Sequence, residues 1–434
     1  MIEAPSQTAA TEGVLAAPSL MGMSEAFASV DAERPSRFAS LRDSAGGTIR
    51  RLMATAGVIV ASAALAPVAL ADYEPSGGYV GATGEHNMAV VLVNFDGSSP
   101  PLDPAQINET MFTAPDSVSN YYSAASLGKL QLHGEVVGSV ELPDILAPSC
   151  DSGDFLKIGA AANAAIKKAS GIDLNGYDNY VYVLSQQADC LNKGGLVLDG
   201  QTMGNASFIN RVPGTQSEGV DVHEIGHQFG LSHANTVHCY GPNGNLLLPP
   251  LGFNVNCMPV IYQDPFDPMG TARFSTTAPI DFDGLNKARL GWLGPQNIIT
   301  VTHSETITIA PDEVPSSQPQ LVRIPYSRID GVERYLYADY RQPTGEDAKV
   351  APTDPLATMF HGVTLREAGP NDRGKPITLT DYSNLIDTNP KTKTALDAPL
   401  GVGRTYRDSK TGIAIRTLDL SPSGAEVRIT VPRH

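Results

Sequence analysis

The stretch His223-Glu224-Ile225-Gly226-His227-Gln228-Phe229-Gly230-Leu231-Ser232-His233 decides the reading of this 434-residue chain. It fits HExxHxxGxxH at every fixed position, a coincidence expected on the order of once in 10⁴ to 10⁵ chains of this composition. Residues four apart on a helix lie about 40° apart on one face, so the imidazoles of His223 and His227 converge on one point. Gly230 can take the left-handed conformation without a Cβ clash, which ends the helix and swings the chain back until His233 reaches the same point. Three neutral imidazoles are the ligand set of a catalytic zinc ion whose fourth position is left to water. Glu224 is then placed to take that water's proton and to deliver it to a leaving amine. A closed, structural site would need a fourth donor, which His238 or Cys239 could supply, but it would have no use for Glu224.

Working outward, Ser217 can cap this helix, with Glu218 and Asp221 in the first turn set against the helix dipole. Val222, Ile225 and Phe229 form an apolar stripe that should face a sheet. The strands for that sheet lie upstream. Met88 to Phe95 is a continuous apolar run suited to a strand buried on both faces, Leu130 to Val140 alternates, and Tyr180 to Leu184 is a third strand. Ser117 to Ser126 and Phe155 to Ala169 read as helices between them. Strands alternating with helices indicate a largely parallel, twisted sheet carrying the histidine helix.

Downstream, the turn-rich segment Tyr262-Gln263-Asp264-Pro265-Phe266-Asp267-Pro268-Met269-Gly270 resembles the Met-turn beneath the three-histidine platform of metzincins, with Met269 the matching residue. With the zinc motif followed by Ala234 and with Lys287-Ala-Arg-Leu-Gly-Trp-Leu293, the chain resembles the gametolysin-like peptidase family M11, and weaker similarity runs through Tyr121 to Gly138. The resemblance implies a secreted metalloendopeptidase. Tyr340-Arg-Gln-Pro-Thr-Gly345 and Leu396-Asp-Ala-Pro-Leu-Gly-Val-Gly403 resemble segments of related secreted peptidases. Serralysin-like enzymes often add a Tyr two residues after the Met, whereas Thr271 stands there in this chain, so no tyrosine ligand is implied at that position.

Beyond Trp292 the pattern changes to short β-like runs, Ile298 to Ile309, Gln320 to Ile324, Tyr335 to Tyr340, Gly362 to Leu365, Ile413 to Leu418 and Ala425 to Val431. The expected class is therefore α+β: a metzincin-like catalytic domain over 72–297, then a C-terminal β-sandwich-like domain over 298–434. Residues 1–71 read as a leader ending in a signal peptide, because Leu52 to Ala71 carries no charge, follows Arg50-Arg51 and closes on Val68-Ala69-Leu70-Ala71. Cleavage after Ala71 leaves no stable membrane insertion and a secreted, extracellular chain.

Thirty Lys and Arg stand against 46 Asp and Glu, a net charge of −16 that repels phosphate backbones and argues against a nucleic-acid partner. Four cysteines, at 150, 190, 239 and 257, argue for two disulfides in an exported chain. Proximity favours Cys150 with Cys190 and Cys239 with Cys257, although three connectivities are possible for four cysteines. Asp72 to Asn87 contains no Cys, which excludes a cysteine switch and leaves Glu85 and His86 as the side chains on that arm that could reach a metal. The expected function is zinc-dependent hydrolysis of peptide bonds in extracellular, cell-wall or matrix proteins, with Zn2+ on His223, His227 and His233 and Glu224 as base. The alternative is a non-catalytic zinc-containing binding or adhesion protein, and the intact Glu224 speaks against it.

Overall fold

The computed structural model describes residues 80–95, 102–143, 155–185, 200–211, 218–252, 256–274, 279–329, 332–368, 382–392 and 394–433. The expected leader, Cys150, Cys190 and the Ser217 cap lie outside these residues. Among these residues the architecture is mixed α/β, with three sheets and few helices.

The first sheet is built from β1 (Gly84–Phe95), β2 (Leu130–Leu142), β3 (Asn179–Ser185), β4 (Gly200–Met203) and β5 (Ala206–Arg211), in the order β2-β1-β3-β5-β4. All neighbours are parallel except β4, an antiparallel edge strand. The unbroken apolar run in β1 has a simple cause. Its side chains alternate between two covered faces, Met88, Val90 and Leu92 entering one core and Ala89, Val91 and Val93 another.

The second of these cores is closed by Phe155, Ile158, Ala162 and Ile166 of the helix Phe155–Ser170. The first is closed by the histidine helix, Glu218–Gln228, whose Val222 and Ile225, with Phe229 just beyond, are fully buried against β1 and β3. The apolar stripe thus faces the sheet. Trp292 closes the same core, its indole N–H donating to Ala82 O at 2.7 Å and its ring meeting Tyr122 and Phe282 edge-on.

The second sheet contains β6 (Ala234–Tyr240), β7 (Leu246–Leu247), β8 (Cys257–Val260), β9 (Ile298–Thr300), β11 (Leu321–Ile329), β12 (Val332–Tyr340), β13 (Val363–Ala368) and β14 (Ser383–Ile386). Its order is β7-β6-β14-β13-β12-β11-β9, with β8 also paired to β6. The third is antiparallel, β10 (Glu305–Ile309), β15 (Thr405–Arg407), β16 (Ala414–Ser421) and β17 (Gly424–Thr430), in the order β10-β17-β16-β15. One core joins these two sheets, with Val322, Ile324, Leu336 and Leu365 from one and Ile309, Ile415, Val427 and Ile429 from the other.

Two departures from the sequence reading follow from pairing. The run Ile298 to Ile309 is split at 301–304, and its halves enter different sheets. The second sheet also crosses residue 297, the expected domain boundary, because β6, which follows the histidine motif directly, pairs in parallel with β14 through Ser383↔Ala234 and Asn384↔Asn235.

Candidate metal centre and active site

His223 and His227 lie one turn apart on the helix Glu218–Gln228, and Gly230 follows with φ 86°. Leu231 N–H returns to Gly226 O at 3.1 Å, so the chain turns back as the glycine permits. His233 is thereby brought to the helical pair. The ring centroids lie 4.7 Å (His223–His227), 4.8 Å (His227–His233) and 5.5 Å (His223–His233) apart, and one donor nitrogen from each lies within 4.8 Å of the others.

The donor chemistry fits a cation. His223 Nδ1 lies 2.8 Å from Pro268 O and His227 Nδ1 2.8 Å from Leu231 O. A carbonyl can only accept, so both Nδ1 atoms carry a proton, and in the neutral rings both Nε2 atoms then present a lone pair. These Nε2 atoms are 3.1 Å apart, an arrangement of two lone pairs that a cation between them stabilises. Their spacing matches the roughly 3.4 Å between ligands about 2.0–2.1 Å from a tetrahedral zinc.

The segment Tyr262 to Gly270, expected as a Met-turn, packs against this group. Met269 is fully buried, its carbonyl accepts from Ala234 N–H at 2.9 Å, and Pro268 supplies the carbonyl that orients His223. A Cβ at Gly226 would lie 2.6 Å from Met269 Sδ, which explains a glycine in the last turn of the helix. Tyr262 closes the third side with a ring centroid 3.8 Å from that of His233.

Glu224 is 5% exposed and meets the edge strand. Thr202 of β4 donates to its Oε2 at 2.7 Å, and Ser207 of β5 donates to its backbone carbonyl at 3.1 Å. Gly200 makes room for this contact, since a Cβ there would lie 2.6 Å from Glu224 Cγ. Below, Gln228 donates to Tyr180 O and Ser207 Oγ, and its Oε1 accepts from Asn179 Nδ2 at 2.6 Å.

The remaining polar candidates fall elsewhere. His238 stands on β6 beside Tyr240, and Cys239 is bonded to Cys257, so the cysteine cannot be a fourth ligand. His86 is buried under the helix with Nδ1 3.1 Å from Asn179 Oδ1, while Glu85 pairs with His133 on the outside of the sheet. Neither belongs to the histidine cluster.

Behind the Met-turn lies a buried ionic network that no single sequence window reveals. Arg366 of β13 binds Asp264, Asp283 and Asp339 at 2.9–3.1 Å, Lys287 binds Asp281 at 2.6 Å and Asp312 at 3.2 Å, and Arg341 pairs with Asp347 at 2.6 Å. Asp267 accepts from the N–H groups of Met269 and Asp283 and from Asn286. Burial, followed by its neighbours Asp283 and Asp264, holds the Asp267 carboxyl well above the usual carboxylate range. Burial also raises Asp281 to about 6 and Asp312 to about 7, against the pull of Lys287.

Residues 88–244 match a family model described as gametolysin peptidase M11. Curated protein sequences give no match. Among solved structures, archaemetzincin from Methanopyrus kandleri aligns over 47% of this chain and 94% of its own at 19% identity and a TM-score of 0.24. OgpA from Akkermansia muciniphila aligns over 69% of this chain and 93% of its own at 11% identity and a TM-score of 0.29. Neither structural likeness bears on the assignment.

Proposed function

We propose, on the premise that the chain belongs through residues 88–244 to the gametolysin peptidase M11 family, that this metallopeptidase is a secreted zinc-dependent endopeptidase with Glu224 as general base. The observation that carries the reading is the convergence of His223, His227 and His233 beside a Glu224 carboxylate held in place by Thr202. Zinc held by these imidazoles supplies a Lewis acid for the peptide carbonyl.

The other roles fall to the chain's own groups. Glu224 accepts the proton of the attacking water and returns it to the leaving amine. Thr202 fixes the rotamer from which it does so. Strand β4, the last of its sheet among the described residues, runs past Glu224, and an extended substrate chain could pair alongside it. The Cys239–Cys257 bridge and the uncharged stretch Leu52 to Ala71 support export and action on extracellular proteins.

Glu224→Gln tests the reading. Gln is nearly isosteric but cannot take the proton at neutral pH, so one zinc per chain should remain while casein hydrolysis falls by at least about 10² to 10⁴. A zinc-loaded variant cleaving at the parental rate would remove Glu224 from the mechanism. Parental cleavage unaffected by excess chelator would remove the metal.

A further inference from the structure

Tyr262 has φ 66°, and only one other described non-glycine residue, Leu127, has a positive φ. Leu127 lies in the turn that ends the helix Val118–Ala125, beside Gly128. Tyr262 has no helix end to close, and its Cβ is crowded by the neighbouring backbone in this conformation. Such strain persists only where surrounding structure enforces it.

The enforcement is visible on three sides. Tyr262 N–H donates to Asn235 Oδ1 at 3.1 Å, Gln263 N–H reaches Val260 O at 3.3 Å, and Gln263 O accepts from Thr236 Oγ1 at 2.7 Å. Asn235 is itself held from the adjacent strand, its Nδ2 donating to Asn384 Oδ1 at 3.2 Å across the β6–β14 register. What this bracing secures is the position of a ring. The Tyr262 centroid lies 3.8 Å from that of His233 at an interplanar angle of 41°, and 5.9 Å from that of His223.

His223 and His227 are carried by a packed helix, with Nδ1 of each held by a carbonyl. His233 stands beyond the Gly230 turn, outside the helix, with the Tyr262 ring against its own at 3.8 Å and the Tyr382 ring farther off at 6.3 Å between centroids. We infer that Tyr262 is a positioning residue: its ring, delivered by a left-handed turn braced from β14, sets the His233 imidazole in the orientation that binds metal. The inference rests on the reading of the three histidines as ligands. Outer residues that orient a ligand are typically worth 10- to 100-fold in metal affinity.

The test compares parent, Tyr262→Phe, Tyr262→Ala and Tyr262→Gly by zinc affinity in chelator competition and by melting of the zinc-free proteins. Tyr262→Ala and Tyr262→Gly should bind zinc about 10- to 100-fold more weakly, and Tyr262→Phe, which keeps the ring, should stay near the parent. Zinc-free Tyr262→Gly should melt at or above Tyr262→Ala despite its smaller side chain, because glycine alone relieves the left-handed strain.

A residue that merely packs would order the variants differently, with zinc affinity falling in step with the melting temperature and glycine lowest in both. That ordering, or zinc affinity unchanged in Tyr262→Ala, overturns the inference while leaving the ligands standing. So does a Tyr262→Phe as weak as Tyr262→Ala. A parent that holds no zinc overturns the metal reading and this inference with it.

Discussion

Gly226→Ala adds one methyl group between the helix that carries His223 and His227 and the turn beneath it. The new Cβ would lie 2.6 Å from Met269 Sδ, 3.5 Å from Met269 Cε and 3.7 Å from Phe282 Cε1. The first contact is roughly 1 Å short of an ordinary 3.5–4.0 Å separation. Met269 and Phe282 are both fully buried, so the sulfur has no open volume into which to swing. Alanine in a helix interior gains about 1 kcal/mol over glycine, whereas overpacking a dense core costs about 1–3 kcal/mol. The overpacking term wins by roughly 0–2 kcal/mol.

The displaced turn also carries two contacts of the metal platform, Pro268 O on His223 Nδ1 and Met269 O on Ala234 N–H, so zinc affinity should fall as well. A double-mutant cycle isolates the cause. Met269→Ala alone should cost about 2–5 kcal/mol through the cavity it leaves. In the double variant the added methyl no longer meets the sulfur, so its cost should fall short of the sum of the two single costs by about 0.5–3 kcal/mol in urea unfolding of the zinc-free protein. Additivity within about 0.5 kcal/mol would refute the claim that the sulfur is what demands glycine at 226.

Thr202→Val keeps the β-branched shape of the edge strand but removes the hydroxyl bonded to Glu224 Oε2. Zinc content should hold while kcat/KM falls about tenfold, the equivalent of about 1.4 kcal/mol and the low end for a hydrogen bond to a charged group; an unchanged kcat/KM would strip Thr202 of its role. Asp312→Asn tests the buried network through pH. Asp312 has its folded value raised to about 7 from 3.8, so the folded chain takes up a proton between those limits and the residue's contribution is full below them and lost as pH rises through about 7. Zinc-free Asp312→Asn should therefore gain on the parent in melting temperature from pH 4 to pH 7. A difference that stays flat with pH would show Asp312 to be an ordinary carboxylate.

The parts of this molecule that declare themselves locally were legible in the sequence. Helical periodicity put Val222, Ile225 and Phe229 on the buried face, the need for a left-handed residue picked out Gly230, and nearness in sequence paired Cys239 with Cys257. Thr202 was not legible, because β4 is four residues of mixed character whose importance comes only from lying beside Glu224. The φ of Tyr262 was equally hidden, since nothing in a tyrosine before Gln-Asp-Pro signals a left-handed turn. Nor could composition show that Arg366 would meet Asp264 across a separation of 102 residues.

These long-range contacts bear on how the site is supported. Asp264 of the Met-turn segment is held by Arg366 of β13, Asp283 by Arg366 and by Ser383 of β14, and Asn235, which fixes Tyr262, by Asn384 of β14. Removing one partner of a buried ion pair is strongly destabilising, because the other charge stays behind without water. Residues 218–297 therefore carry the groups proposed to do chemistry, but Asp264 and Asn235 beside them are held by strands from beyond residue 363. The C-terminal strands thus hold, through Arg366 and Asn384, the segment that packs against the proposed metal ligands.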